Sequence, residues 1–401
     1  MRRWGSAFVL GVGVTGAAVA FGSRSLGVVG VGLLLAAGLT KVWAGLVRSA
    51  VAVVAVVEPA PALEGDPVTI TIEARRSSRI PVGSAVVHGT LGRLGPHEWR
   101  LRGHGRVTSA TIGLGALPRG CFALSDVGLT FGDFLGLESV APPTSIPATA
   151  VIVEPRLVAL DSLFSDAGRV GGEGRRLLLR RTAGFDFHSV REYEQGESLR
   201  RVHWPTSARR GQLMVKELED SPRDSVVVLL DCDPAGAAGE PPESSFDAAV
   251  RAAGSILLMY ARRGRGATLV TTGNDRALVP VRSGADFGAA LTALAATEAD
   301  ARHGLARSLN VDYAPLARAG ELVVVTATLE PASVTPLLGF AARRLVSVVW
   351  IDAPSWASRP TRATSSVLRL SASGIPVAVV RRGDDLAAAL GAGRVEVAAR
   401  A

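Results

Sequence analysis

Between Arg3 and Arg24 the chain runs through twenty consecutive uncharged residues, Trp4 to Ser23, built mostly from Ala, Val, Gly, Leu and Phe. As a helix such a run spans about 30 Å, the hydrocarbon thickness of a bilayer. A second run, Ser25 to Thr40, is uncharged for sixteen residues and then meets Lys41, Trp43 and Arg48. A lysine can snorkel to the headgroups and a tryptophan suits the interface, so this helix is predicted to continue to about Val47. Ser23-Arg24-Ser25 leaves room only for a tight hairpin. Arg2, Arg3, Lys41 and Arg48 lie at the outer ends, against Arg24 alone at the turn. The positive-inside rule then puts both ends, and everything after residue 48, on the cytoplasmic side of the inner membrane. Ala18-Val19-Ala20 resembles a signal-peptide cleavage site, but the second apolar run would still hold the chain in the bilayer.

The chain is too long for one small module: 401 residues imply two or three domains at roughly 100–200 residues each. Two cysteines, Cys121 and Cys232, exclude a disulfide framework and a cysteine zinc site. From Val51 to about Leu160 the pattern is β-like. Val68 to Glu73 alternates with period two, and Ser84 to Val87, Val107 to Ile112 and Ala150 to Val153 are short runs between Gly and Pro. Such spacing predicts a β-sandwich over residues 49–160. After residue 225 the pattern changes. Ser225 to Leu230, Ala267 to Val270, Glu321 to Thr326, Leu345 to Ile351 and Val377 to Val380 read as buried strands, with helical spacing over Phe246 to Arg262, Phe287 to Leu294, Val334 to Arg343 and Asp385 to Leu390. Strand–helix alternation predicts an α/β domain over 225–401, an open parallel sheet with helices on both faces. Ligands on such sheets bind beyond the carboxyl ends of the strands, which points to Asp231 and Thr326.

Residues 161–224 connect the two parts. Arg169 to Lys216 carries eleven basic and five acidic residues, so +6 of the chain's net +8 is concentrated there. Aromatic residues make up only 5% of the chain and no stacking platform is evident, so a nucleic-acid partner is not expected. The segment reads Gly184-Phe185-Asp186-Phe187, Arg191-Glu192-Tyr193-Glu194-Gln195-Gly196-Glu197, Arg200-Arg201-Val202-His203-Trp204, then Ser207-Ala208-Arg209. Over about 40 residues this closely resembles the bacterial family called domain of unknown function 58 (DUF58), with Glu197 where that family's pattern has Asp. Phe131 to Leu137 resembles the family's Asp-Pro-Phe-Gly-Leu turn without its proline.

The resemblance implies two membrane helices, a β-rich segment, the signature, and a von Willebrand factor type A-like, Rossmann-like domain. It also implies a partner, an AAA+ ATPase of the MoxR type. The residues singled out for binding are Arg191, Tyr193, Arg200, Trp204 and Arg209, the arginines offering planar forks to carboxylates or phosphates. Pairing of Arg191 and Arg209 with Asp186, Glu192 or Glu197 is the structural alternative. Von Willebrand type A domains hold a divalent cation through Asp-x-Ser-x-Ser, whereas here Asp231-Cys232-Asp233-Pro234-Ala235 keeps the first Asp and loses both serines. Asp231 and Asp233 are the metal candidates, for Mg²⁺. The expectation is nevertheless a loop given over to packing or protein contact, with no cofactor. The sum is a membrane-anchored, non-enzymatic interaction protein. The alternatives are a metal-dependent binder at Asp231 and Asp233, or a hydrolase using His188 or His203.

Overall fold

The computed structural model describes residues 3–103, 106–167, 187–193, 202–218, 226–310, 316, 319–359 and 365–391. Its first unit spans Met1–Glu154 and its second Pro155–Ala401. The first begins with helices α1 (Arg3–Phe21) and α2 (Arg24–Leu46), both long and apolar enough to cross a membrane. Gly22 turns the chain at a φ of +65°, which a side chain would resist, and Ser23 caps α2 by accepting from the Leu26 amide. The two helices approach closely because small residues face each other. A Cβ on Gly30 would meet the Thr15 amide nitrogen at 2.8 Å, and one on Gly11 would meet Leu33 at 3.1 Å. Leu33 and Leu34 lie at this seam, whereas other large apolar side chains point away from it, with Val19 and Phe21 each 80% exposed.

Ten strands follow: β1 (Val51–Glu58), β2 (Ala62–Leu63), β3 (Pro67–Arg76), β4 (Ser84–Leu91), β5 (Pro96–Leu101), β6 (Val107–Ala116), β7 (Gly120–Gly132), β8 (Ser139–Val140), β9 (Thr144–Ser145) and β10 (Ala150–Glu154). They form one sheet in the order β6-β3-β1-β9 and a second in the order β2-β10-β7-β4-β5, with β8 beside β7. Alternate residues of β3 (Val68, Ile70, Ile72 and Ala74) are fully buried, and they share one core with Val87, Trp99, Phe122, Phe131 and Val151 of the other sheet. Period-two alternation in the sequence thus becomes the inner face of a two-sheet sandwich. His88 and His97 stand on β4 and β5.

The hairpin is tied to this sandwich. Lys41 is engaged within the protein. Its ammonium pairs with Glu138 at 2.8 Å and lies 4.0 Å over the Trp4 ring. Trp43 Nε1 donates to the Pro81 carbonyl at 2.9 Å.

In the second unit β11 (Phe187–Glu192) pairs antiparallel with β12 (Met214–Leu218), and the helix Trp204–Arg210 lies between them in sequence. The main sheet contains β13 (Val226–Leu230), β14 (Ala267–Thr271), β15 (Leu278–Val281), β16 (Glu321–Thr326), β17 (Leu345–Ile351) and β18 (Val377–Val380), in the order β15-β14-β13-β16-β17-β18. Neighbours from β14 to β18 run parallel, while β15 runs antiparallel on β14, so the sheet is mixed. Pro280 in β15 is compatible with that edge place, where a missing amide breaks no inner ladder.

Every residue of β13 is buried because both faces are covered. Val226, Val228 and Leu230 face the core that includes Ile256 and Leu257 of the helix Ser245–Arg262. Val227 and Leu229 face a second core with Leu305, Val334 and Leu370, from three further helices. The helix Ser245–Arg262 starts with a reciprocal capping box between Ser244 and Asp247.

Candidate functional site

Three neighbouring strands converge on one carboxylate. Leu230 of β13 is in register with Thr271 of β14 on one side and Val325 of β16 on the other. The next step along each strand brings Asp231 beside Thr272 and Thr326. The Asp231 side chain accepts from the hydroxyl of Thr326 at 2.7 Å, of Thr328 at 3.0 Å and of Thr272 at 3.1 Å. The network closes on the backbone. The Cys232 amide donates to Thr272 Oγ1 at 2.8 Å, and the Thr328 amide to Thr326 Oγ1 at 3.0 Å. Asp233 accepts from the Ala235 amide at 2.9 Å, and its other oxygen lies 3.3 Å from Thr328 Oγ1. The loops after β13 and β16 are close enough that a Cβ on Gly236 would meet the Ala327 methyl at 2.6 Å.

Asp231 is only 3% exposed. Burial raises its pKa above the ordinary carboxylate value. The threonine hydroxyls oppose that shift and the Asp233 charge adds to it. Cys232 beside it is buried, and its thiol is pushed up to about 11, chiefly by desolvation. It is therefore a packed thiol at neutral pH and no nucleophile.

The donor set has the chemistry of a hard-cation site, with carboxylate and hydroxyl oxygens only. Yet both Asp231 oxygens already accept protein hydroxyls, and one Asp233 oxygen caps a backbone amide. Among the described residues no group of three or more His, Cys, Asp or Glu side chains is placed to hold a metal. The arrangement fits a polar lock that fixes three strand-end loops better than it fits a ready-made metal cage.

The described part of the signature is built on its own backbone pairing. The Tyr193 amide donates to the Leu213 carbonyl at 2.9 Å, and the Arg191 backbone pairs with Val215. Arg200, Asp186 and Glu197 fall outside the described residues, and with them part of the expected ion pairing. Glu192 accepts from Gln212 at 2.9 Å. Trp204 opens the short helix with its side chain 62% exposed, and Arg209 stands exposed in the last turn before the left-handed Gly211. Pro205 occupies the first turn of this helix, where it requires no amide donor. His203 lies just before the helix, its Nδ1 2.7 Å from Thr206 Oγ1. Thr272 was not anticipated; only the register of β14 against β13 reveals it.

The comparisons with known proteins bear on the signature and the domain that follows it. The family described as Protein of unknown function DUF58 matches residues 189–364. The Bacillus subtilis (strain 168) protein described as uncharacterized protein YeaD is 27% identical over 276 residues, 66% of this chain and 67% of that one. A solved structure, Cwp6 from Clostridium difficile, aligns over 83% of this chain at 9% identity and a TM-score of 0.16; the chain spans 37% of its length. The match begins inside β11, runs through the Tyr193–Arg209 signature and takes in the Asp231 lock, so over these residues the chain is similar to the DUF58 family.

Proposed function

We propose that this chain is a membrane-anchored docking protein without catalytic activity of its own. In this reading its soluble parts face the cytoplasm and work with an AAA+ ATPase of the MoxR type. The observation that carries the reading is the hairpin. Two apolar helices close against each other through glycines and turn side chains such as Val9, Val19, Phe21 and Val28 outward, a surface that lipid would cover. Arg3 and Lys41 stand at the end tied to the sandwich and Arg24 alone at the turn, which favours a cytoplasmic sandwich. The second unit would serve as a von Willebrand factor type A-like adaptor. The Asp231 lock holds its strand-end loops in one shape, and Trp204 and Arg209 offer an exposed aromatic and cation of the kind enriched at protein interfaces. The ATPase itself rests on family resemblance.

The test is a photo-crosslinking residue at Trp204 in the membrane-bound full chain, with Arg200→Glu as comparison. The expected adduct is an AAA+ ATPase, diminished by the Arg200→Glu change. An adduct set without any such ATPase, or turnover of a substrate by the purified chain, would overturn the proposal.

A metal-dependent binder is the second reading, favoured by the oxygens gathered at Asp231, Asp233, Thr326 and Thr328. Calorimetric titration of the full chain with Mg²⁺ or Mn²⁺ separates the two. No binding heat is expected. A saturable heat abolished by Asp231→Asn would transfer the strand-end loops to metal-dependent binding.

A further inference from the structure

The turn between β7 and β8 is built inside out for a segment in water. Its charged groups point inward: Asp133 is buried, and the Glu138 side chain is only 8% exposed. Its apolar residues point outward, with Phe134 69% and Leu135 62% exposed. A water-facing turn of this composition would lower its free energy by the opposite arrangement.

The inward groups hold the turn rigidly. Asp133 accepts from the Leu137 amide at 2.8 Å and the Glu138 amide at 3.4 Å. The Gly83 amide donates to the Gly132 carbonyl at 2.9 Å, and Gly136 takes a φ of +67°. The same groups fasten the turn to both helices of the hairpin. Thr40 donates its hydroxyl to Asp133 at 3.1 Å, Lys41 pairs with Glu138 at 2.8 Å, and the Trp4 amide donates to the Leu137 carbonyl at 2.9 Å.

Those three helix residues fix the height of the turn. Trp4 is the first residue of the uncharged run in α1, and Thr40 is the last of that in α2. Both mark where the apolar stretch of their helix ends, the level at which hydrocarbon gives way to headgroups. We infer that the Asp133–Glu138 turn is a third point of membrane contact, its Phe134 and Leu135 side chains inserted among lipids at that boundary. This inference rests on the reading of α1 and α2 as a membrane anchor. The occupant is lipid because the turn is continuous, through hydrogen bonds, with the ends of both spans. With the tip immersed, the sandwich is held at a third point beside its two helical connections, which restricts its tilt over the bilayer.

Nitroxide depth measurements on the full chain, reconstituted in bilayers of phosphatidylethanolamine and phosphatidylglycerol, test the inference. The background is Cys121→Ser, which removes the exposed thiol; Cys232 is buried and stays unlabelled. Labels go at Leu135→Cys, at Val28→Cys as a lipid-facing reference near the Arg24 end of α2, and at Ser125→Cys as an aqueous reference. Ser125 lies seven residues before the end of β7, roughly 23 Å back along the strand.

The expected result is a ratio of oxygen to nickel-chelate collisions at Leu135 close to that at Val28 and several-fold above that at Ser125. A lipid-like Val28 with a Leu135 indistinguishable from Ser125 would overturn insertion of the turn and leave the anchor intact. A Leu135 shielded from both collision partners would mean that protein, another copy or a different chain, covers the tip, and would also overturn it. A water-like Val28 would remove the anchor, and this inference with it.

Discussion

A chain carrying Val12→Arg and Val31→Arg is expected to leave the membrane fraction. Val12 lies midway along α1 and Val31 near the middle of the uncharged run of α2. Both side chains are about half exposed, on the outward face of the hairpin. A guanidinium at the centre of a span opposes insertion by about 2.5–3.5 kcal/mol. Two therefore oppose it by roughly 5–7 kcal/mol, about four decades in the partition. Neither site lies at the Gly30–Thr15 or Gly11–Leu33 contacts, so the pairing of the helices gives no reason for a loss of folding. The measurement is the fraction retained after carbonate washing of membranes. Val12→Leu with Val31→Leu serves as the control and is expected to behave as the unchanged chain. Retention of the double-arginine chain, or release of the unchanged one, would remove the anchor from the account.

That prediction draws on the part of the molecule most legible in the sequence. The extents of α1 and α2 follow from unbroken apolar runs whose length a bilayer dictates. The strands β13, β16, β17 and β18 were equally plain, since burial makes them near-continuous apolar runs, interrupted only by Glu321, Thr326 and Ser347. What stayed hidden depends on pairing across long sequence distances. Nothing local shows that Lys41 pairs with Glu138, 97 residues later. Phe131 to Leu137 was recognisable as a family turn, but not as the segment fastened to the hairpin, because Thr40 and Asp133 are 93 residues apart. The edge strand β15 is short and contains a proline, so its apolar pattern never separates from that of a loop. At the candidate site Asp231 and Thr326 were visible as strand ends. Thr272 was not, since nothing local tells which residue of β14 lies opposite Leu230.

Asp231→Ala is expected to destabilise the second unit by roughly 2–4 kcal/mol, the range for a buried acceptor lost from several donors. The three donors do not suffer equally. Thr326 can turn its hydroxyl to the Thr328 carbonyl at 2.8 Å, and Thr328 can turn toward Asp233, leaving Thr272 as the hydroxyl with the fewest options. The pH dependence discriminates more sharply than the size. Burial raises the pKa of Asp231, so the folded protein keeps this proton to higher pH than the unfolded chain does. Below the unfolded carboxylate pKa both states are protonated and there is no ionisation penalty. As pH rises through the window up to the folded pKa, Asp231 withdraws stability, and above that window the penalty is complete. The loss caused by Asp231→Ala must therefore be largest in acid and shrink toward neutral pH, the reverse of a salt-bridged aspartate. Asp231→Asn, uncharged throughout, is expected to lose this pH-dependent contribution altogether. Hydrogen exchange of the Val226–Leu230 and Glu321–Thr326 amides, compared among the three proteins in detergent at each pH, reads the difference where the lock acts. A loss that grows with pH would mean that the folded state favours the ionised carboxylate, and the three hydroxyls, not burial, would then govern its charge.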